Sequence, residues 1–289
     1  MLVTINSGIN SCGLFIASFY GMMSVIRIFC QLECSMAYSA QPYDEFAAHY
    51  DQIFESWEAS ILRQATVLSE ILRHECGDRG RIRVLDCACG IGTQSIGLAM
   101  KGFEVEGCDI SPGAVQRARL EASKRGLSVP FSVANMLTLT TIERSSFDAV
   151  ICIDNSLPHL ESDDQLFQAA QQARSKLRAG GSFLGSIRDY DRFVVERPTT
   201  QGPSFYSDID GRRIVFQIWD WQDERRYRFH LYITRGTGSE WDTFHFTSTY
   251  RAVLRCELAD ILIQAGFTNI RWRLPSETGF YQPIFIAAA

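Results

Sequence analysis

Apolar residues set the first pattern along the chain. From Tyr43 to Leu72, Phe46, Tyr50, Ile53, Phe54, Trp57, Ile61, Leu62, Ala65, Leu68, Ile71 and Leu72 recur at helical spacing, which predicts one or two helices with a single buried stripe. The period then shortens. Ile82 to Cys87 is a short apolar run ending in a glycine-rich turn, and Ser95 to Lys101 has helical composition up to a Gly102 stop, so the stretch reads as strand, loop and helix. Phe103 to Cys108 repeats the strand signal. Ser111-Pro112 then supplies an N-cap with proline in the first turn, and Lys124-Arg125 followed by Gly126 suits the negative end of a helix dipole. Pro130 to Ala134 and Phe147 to Ile153 predict two more strands. Leu166, Ala170, Ala173 and Leu177 predict a helix closed by Gly180-Gly181, and Phe183 to Ile187 a fifth strand.

Strands that alternate with helices at this spacing need right-handed crossovers, which give a parallel sheet covered on both faces. After Asp189 the rhythm changes: Arg212 to Trp221, Tyr227 to Thr234 and Trp241 to Thr249 are β-rich, aromatic and separated by polar turns, as in an antiparallel insert. Helix returns at Glu257 to Ala265, and Phe267 to Leu274 with Tyr281 to Ala287 form a closing hairpin. The expected fold is α/β, a doubly wound, mostly parallel seven-stranded sheet of the Rossmann-like kind with an antiparallel β insert after strand five. One domain is expected over residues 36–289, with 190–250 as its inserted lobe.

Residues 1–35 stand apart. Cys12 to Leu32 is apolar and small apart from Arg27 and Gln31, with no basic region before it, so it makes a malformed signal peptide. Arg27 interrupts the run before the roughly 20 apolar residues that a membrane-spanning helix needs. With Met36 following, an over-extended reading frame or loosely ordered tail is the expectation, and a weak interfacial anchor the alternative.

A formal net charge of −5 and a sequence pI near 5.6 supply no global positive field for phosphate backbone, which argues against nucleic acid as partner. Nine scattered cysteines, an odd number partly inside apolar runs, read as buried free thiols in a reducing compartment, hence the cytoplasm. Cys87 and Cys89 lack a second Cys or His pair at zinc spacing, so no metal is expected. The expected partner is a small molecule, without stable membrane insertion; a homo-oligomer stays open.

Chemistry concentrates in Val84-Leu85-Asp86-Cys87-Ala88-Cys89-Gly90-Ile91-Gly92-Thr93-Gln94, where a buried strand ends in a loop that needs two glycines so that a ligand can lie against backbone. Asp109 ends the next strand about 20 residues on, the spacing of a ribose-binding carboxylate. Two carboxylate oxygens can accept from both ribose hydroxyls. A nicotinamide enzyme normally has a third glycine where Ser95 stands, and Asp86 would repel a pyrophosphate. The same acid can pair with the sulfonium and amino group of S-adenosylmethionine.

In this loop the chain resembles the class I S-adenosylmethionine-dependent methyltransferases, a likeness that runs from about Tyr43 to the C-terminus. Within them it is most similar to the glycine and sarcosine N-methyltransferase group, through Asp154-Asn155-Ser156-Leu157-Pro158-His159-Leu160 after strand four. The resemblance implies that Asp86, Ala88, Gly90, Gly92, Asp109 and Ile110 hold methionine and ribose, that Asn135 and Met136 flank adenine, and that Ile153 offers backbone near the methyl donor. Asn135 stands where an Asp is common, but its carbonyl oxygen can still accept from the adenine amino group. Arg63 is the implied partner of the methionine carboxylate. Tyr50 and Trp57, seven apart on one helical stripe, are either a cofactor lid or core.

For the acceptor, the resemblance places Arg188 of Ser186-Ile187-Arg188-Asp189-Tyr190 on a substrate carboxylate, supported by Asn155. A residue leaving the carboxyl end of a parallel strand points into the ligand crevice, and a guanidinium fork suits a carboxylate. The competing reading pairs Arg188 with Asp189 or Asp191 at the surface. His159 is read as a hydrogen-bonding structural residue rather than a base. Phe216, Trp219, Trp221, Tyr227, Phe229 and Tyr281 are either strand core or the wall of a cation pocket. The expected function is methyl transfer to the amine of an amino acid or related carboxylated metabolite. O- or C-methylation of another small molecule, and a non-catalytic S-adenosylmethionine-binding protein, are the alternatives. No N-P-P-Y or D-P-P-Y segment occupies residues 154–157, which counts against DNA base methylation.

Overall fold

Short, strongly apolar strands dictate the centre of the molecule. In the computed structural model, which describes residues 43–77, 80–209 and 211–289, β1 (Arg83–Asp86) and β4 (Phe147–Cys152) are almost wholly buried, as strands covered on both faces must be. They are the middle of a seven-stranded sheet. β2 (Glu104–Asp109) and β3 (Phe131–Val133) extend it to one side. β5 (Leu177–Ser186), β11 (Ile284–Ala288) and β10 (Thr268–Arg273) extend it to the other, giving the order β10-β11-β5-β4-β1-β2-β3. Five strands run parallel, while β11 is antiparallel to both neighbours. Because the chain leaves β1 for β2 and β3 and then returns to β4 on β1's other side, the topology switches between β1 and β4. A crevice therefore opens beyond their carboxyl ends.

Helices α1 (Trp57–Cys76), α2 (Thr93–Met100), α3 (Pro112–Lys124), α4 (Asp163–Lys176), α5 (Tyr190–Glu196) and α6 (Arg255–Gln264) make the connections. The α3 start follows its sequence signal: Ser111 Oγ accepts from the Ala114 N–H at 3.0 Å and donates to Asp44 Oδ1 at 2.5 Å. That second bond docks the helical residues 43–47 over the α3 N-terminus.

β6 (Thr200–Asp208), β7 (Gly211–Trp221), β8 (Arg226–Thr237) and β9 (Glu240–Arg251) form a separate antiparallel meander. Its inward side chains, including Val215, Trp219, Phe229, Leu231, Phe246 and Tyr250, join the same apolar cluster as Leu85, Val150 and Phe183.

Three expectations are corrected. The α4 helix stops at Lys176 without a glycine cap, and Gly180-Gly181 lies inside β5, where the register against β4 jumps from Phe147↔Leu177 to Ala149↔Ser182; the glycines serve a bulge. Tyr50 belongs to a 3-10 turn (Tyr50–Ile53) and Trp57 begins α1, so they share no helical stripe. The meander also has a fourth strand, β6, whose Gln201, Ser204 and Ser207 hide the alternation that marks the others. The apolar stretch 12–32 and the boundary at 35/36 lie outside the described residues. Among the described residues no helix is long and apolar enough to cross a membrane, and no cluster of three or more His, Cys, Asp or Glu could hold a metal.

Candidate active site

The loop after β1 is pinned to both neighbouring strands. Cys87 N–H donates to Ile151 O and Cys89 N–H to Cys108 O, each at 3.0 Å. Its two glycines differ. Gly90 (φ +52°) faces open space where a Cβ would be, and its N–H donates to Asp109 Oδ2 at 2.8 Å. At Gly92 (φ +93°) a Cβ would stand 3.0 Å from Ile96 Cδ1 and 3.3 Å from Ala118 Cβ. Gly90 thus leaves a cradle for a ligand, and Gly92 lets α2 approach α3.

Asp109 Oδ1 also accepts from the Ser111 N–H at 3.0 Å. Burial raises its pKa, and the backbone donors of Ser111 and Gly90 oppose that rise. With one backbone donor on each oxygen, further lone-pair sites remain for hydroxyl groups. Ala88 and Ile110 are half-buried beside this carboxylate.

Asp86 is fully buried; its Oδ2 accepts from Ser95 Oγ at 2.7 Å, which ties the first turn of α2 to β1, and its Oδ1 has no side-chain partner among the described residues. Burial lifts its carboxyl pKa to about 7 despite the Ser95 hydrogen bond. Asn135 Oδ1 accepts the Leu137 N–H at 2.9 Å, which leaves one lone pair, and Met136 packs half-buried beside it. The Ile153 side chain is core, so only its backbone can serve a ligand. Trp57 Nε1 donates to Thr93 Oγ1 at 2.9 Å and Arg125 covers its ring at 5.2 Å, which makes it a packing residue at the head of α2. Arg63 is exposed on α1.

Across the crevice, β4 ends in Asp154 and Asn155, both with left-handed backbones (φ +61° and +64°). Ser186 fixes them: its Oγ accepts from Asp154 N–H at 2.8 Å and its carbonyl from Asn155 N–H at 3.1 Å. Tyr50 Oη donates to Asp154 Oδ2 at 2.5 Å. Asn155 is buried, its Oδ1 accepts the Arg188 N–H at 3.0 Å, and its Nδ2 has no hydrogen-bond partner.

Arg188 makes no ion pair among the described residues. Its guanidinium donates to Tyr227 Oη at 2.9 Å and reaches Gln217 Oε1 at 3.5 Å. The rings of Trp219, Phe229 and Tyr250 surround its Cζ at 4.6, 5.1 and 5.2 Å. Asp189 and Asp191, the competing partners, are taken by Arg255 at 3.6 and 2.6 Å. Burial disfavours the Arg188 charge, but the hydroxyls of Tyr227, Tyr190 and Tyr250 outweigh it and raise its pKa. His159 receives Tyr43 Oη at 2.7 Å on Nε2, and its ring lies tilted against Tyr250 with centroids 4.2 Å apart. Burial and the Arg188 charge lower its pKa to about 3, so it is neutral in ordinary buffers.

Sequence reasoning missed Asp154, Gln217 and Tyr250 as members of this site. The only early signal was Asp-Asn directly after a strand, a pair that tolerates left-handed backbone.

Residues 84–181 match the sequence model of a family described as a methyltransferase domain. Over these residues the chain therefore carries a methyltransferase domain. The chain is 29% identical over 157 residues to a glycine/sarcosine N-methyltransferase of Parasynechococcus marenigrum, covering 54% of each chain. It is 32% identical over 172 residues to the glycine N-methyltransferase of Homo sapiens, covering 54% of this chain and 53% of that one. The alignments thus span about half the length of these curated relatives. In structure it is similar to a S-adenosylmethionine-dependent methyltransferase from Clostridium acetobutylicum (TM-score 0.66, 17% identity, 85% of this chain and 98% of that one). It is also similar to CalS10, an amino pentose methyltransferase from Micromonospora echinaspora solved with its cofactor bound (TM-score 0.66, 20% identity, 84% and 95%). At these identities the structural likeness concerns the fold of the methyltransferase domain alone. The open space over Gly90 beside the Asp109 carboxylate fits a ribose lying against the loop.

Proposed function

We propose that the chain transfers a methyl group from S-adenosylmethionine to the amine of a small carboxylated metabolite, an amino acid or a close relative. The observation that carries this reading is Arg188, a cation enclosed by aromatic faces and neutral partners, at the mouth of a parallel strand, with no carboxylate of its own. A charge so placed is costly unless a ligand completes it. The names of the glycine and sarcosine N-methyltransferase relatives support the same acceptor class.

Gly90, Ala88, Asp109 and Ile110 would hold the ribose and methionine portion, Asn135 and Met136 the adenine, and the Ile153 backbone the edge nearest the reaction. Bound there, the cofactor supplies an electrophilic methyl group on a sulfonium. The residues around Arg188 hold the acceptor carboxylate, exclude water and align the amine for in-line attack, so no protein nucleophile is needed. The nitrogen lone pair forms the new N–C bond as the methyl carbon's bond to sulfur breaks, and that electron pair stays on sulfur. His159, neutral and bonded to Tyr43, stays outside the proton path.

Turnover of free amino acids with labelled cofactor, in the wild type and in Arg188→Ala, tests this. Loss of turnover with unchanged affinity for S-adenosylhomocysteine is expected. Equal turnover in the variant sinks the carboxylated-amine reading and favours another acceptor.

A further inference from the structure

We propose that Asp154 holds the acceptor's amino group, so that the site selects zwitterions, with the carboxylate toward Arg188 and the amine toward Asp154. The inference rests on the preceding reading of Arg188 and adds the second half of the acceptor's recognition.

Two opposite charges stand in one crevice without neutralising each other. Asp154 follows β4 and Arg188 follows β5, the neighbouring strand, and among the described residues neither forms an ion pair. Asp154 is instead held by neutral groups: Tyr50 Oη on Oδ2 at 2.5 Å, Gln282 Nε2 at 3.5 Å from Oδ1, and the Tyr281 hydroxyl. Two carboxylate oxygens offer about four lone-pair sites, so room to accept one more donor remains. Asn155, the residue next to Asp154, accepts the Arg188 N–H at 3.0 Å, and β4 and β5 pair in parallel, so the two side chains leave the same edge of the sheet.

Its backbone is held in place from several sides. Ser186 Oγ accepts the Asp154 N–H and donates to Gln282 Oε1 at 2.8 Å, and the left-handed conformation of both Asp154 and Asn155 is thereby over-determined. A carboxylate can only accept, so its complement is an N–H or O–H donor, and a cationic donor gains most. An amino acid enters as its ammonium form and loses one proton to water before its lone pair is free. A remaining N–H bonded to Asp154 then fixes the lone pair's direction toward the methyl carbon.

The test uses the full chain, with the free α-amino acids as acceptors and, as an inhibitor with no donor at the amine's position, the carboxylic acid that carries hydrogen in place of the amine of the best acceptor. Asp154→Asn keeps shape and tolerates a left-handed backbone; calorimetry with S-adenosylhomocysteine reports whether its site is folded. We expect the acceptor KM to rise about tenfold or more, as for loss of a hydrogen bond to a charged group. The affinity for S-adenosylhomocysteine should stay within about twofold, and the amine-free carboxylic acid should inhibit both proteins equally, effects a merely structural residue does not separate. Asp154→Glu, which keeps the charge, should recover part of the lost acceptor affinity. An unchanged KM in Asp154→Asn overturns the inference alone. A parallel loss of S-adenosylhomocysteine affinity overturns it by assigning Asp154 to the cofactor. Absence of wild-type turnover with every amino acid overturns both the inference and the reading beneath it.

Discussion

The two halves of the crevice are built from different materials. On the β1–β2 side, a continuous stretch from Asp86 to Gln94 and one carboxylate, Asp109, form the cradle mostly from backbone: Gly90 N–H, Ser111 N–H and the space over Gly90. On the β4–β5 side, Arg188 depends on side chains from distant strands, with Gln217 and Trp219 on β7, Tyr227 and Phe229 on β8, and Tyr250 on β9. Backbone can be offered to a common cofactor by a short motif, whereas a particular acceptor needs side chains gathered from several strands. Substitutions in the two halves should therefore separate cofactor binding from acceptor use.

The largest separation is expected from Arg188→Ala. Removing a buried guanidinium from a bound carboxylate should lower kcat/KM for amino-acid acceptors by roughly a thousandfold, while calorimetry finds the S-adenosylhomocysteine affinity nearly unchanged. A comparable loss in that affinity would erase the distinction between the halves. Asp109→Ala should do the reverse, weakening S-adenosylhomocysteine about a hundredfold through lost charge-assisted bonds.

The two glycines sharpen the comparison inside the cofactor half. Gly92→Ala forces a Cβ against Ile96 and Ala118 and should cost about 2–3 kcal/mol of stability in denaturant unfolding. Gly90→Ala meets no protein atom within 4 Å, so it should cost only about 1 kcal/mol of backbone strain yet weaken cofactor binding more than Gly92→Ala does. If the order of the two stability losses is reversed, Gly92 is not a packing glycine.

Titration gives the smallest effects, one in each half and of opposite sign. Asp86 has its folded pKa raised to about 7, against roughly 4 when unfolded. Between those values the folded chain keeps a proton that the unfolded chain has lost, so stability falls as pH rises from 4 to 7. Asp86→Asn should flatten that decline. His159 has its folded pKa lowered to about 3, so between pH 6.5 and 3 only the unfolded chain takes up the proton and stability falls as pH drops. His159→Gln should flatten that acid limb. Calorimetric Tm against pH in the two variants checks both signs.

Legibility followed the same division. The strand–loop–helix reading of residues 82–101, the Ser111 cap and the alternation of strands with helices up to Ile187 came from apolar period, glycine and proline, because local backbone demands decide them. Asp86 shows the limit of that reasoning: a carboxylate at a strand tip reads as a ligand for a cation, and its complete burial and its bond to Ser95 are visible only in the folded chain. Arg188 was legible by position, and its freedom from Asp189 and Asp191 was not, since it depends on Arg255, 67 positions further along, capturing both. Asp154 was passed over because its partner Tyr50 lies 104 positions away.

What the amino-acid sequence determined by itself was a glycine loop after the first strand and an alternating α/β fold, because both follow from short-range requirements on φ, capping and hydrophobic period. Only the tertiary structure decided which charges face the crevice. Whether Asp86, Asp154 or Arg188 is buried, paired or left open depends on side chains brought in from strands and helices far along the chain, and burial and pairing, not residue type, fix what a charge can bind.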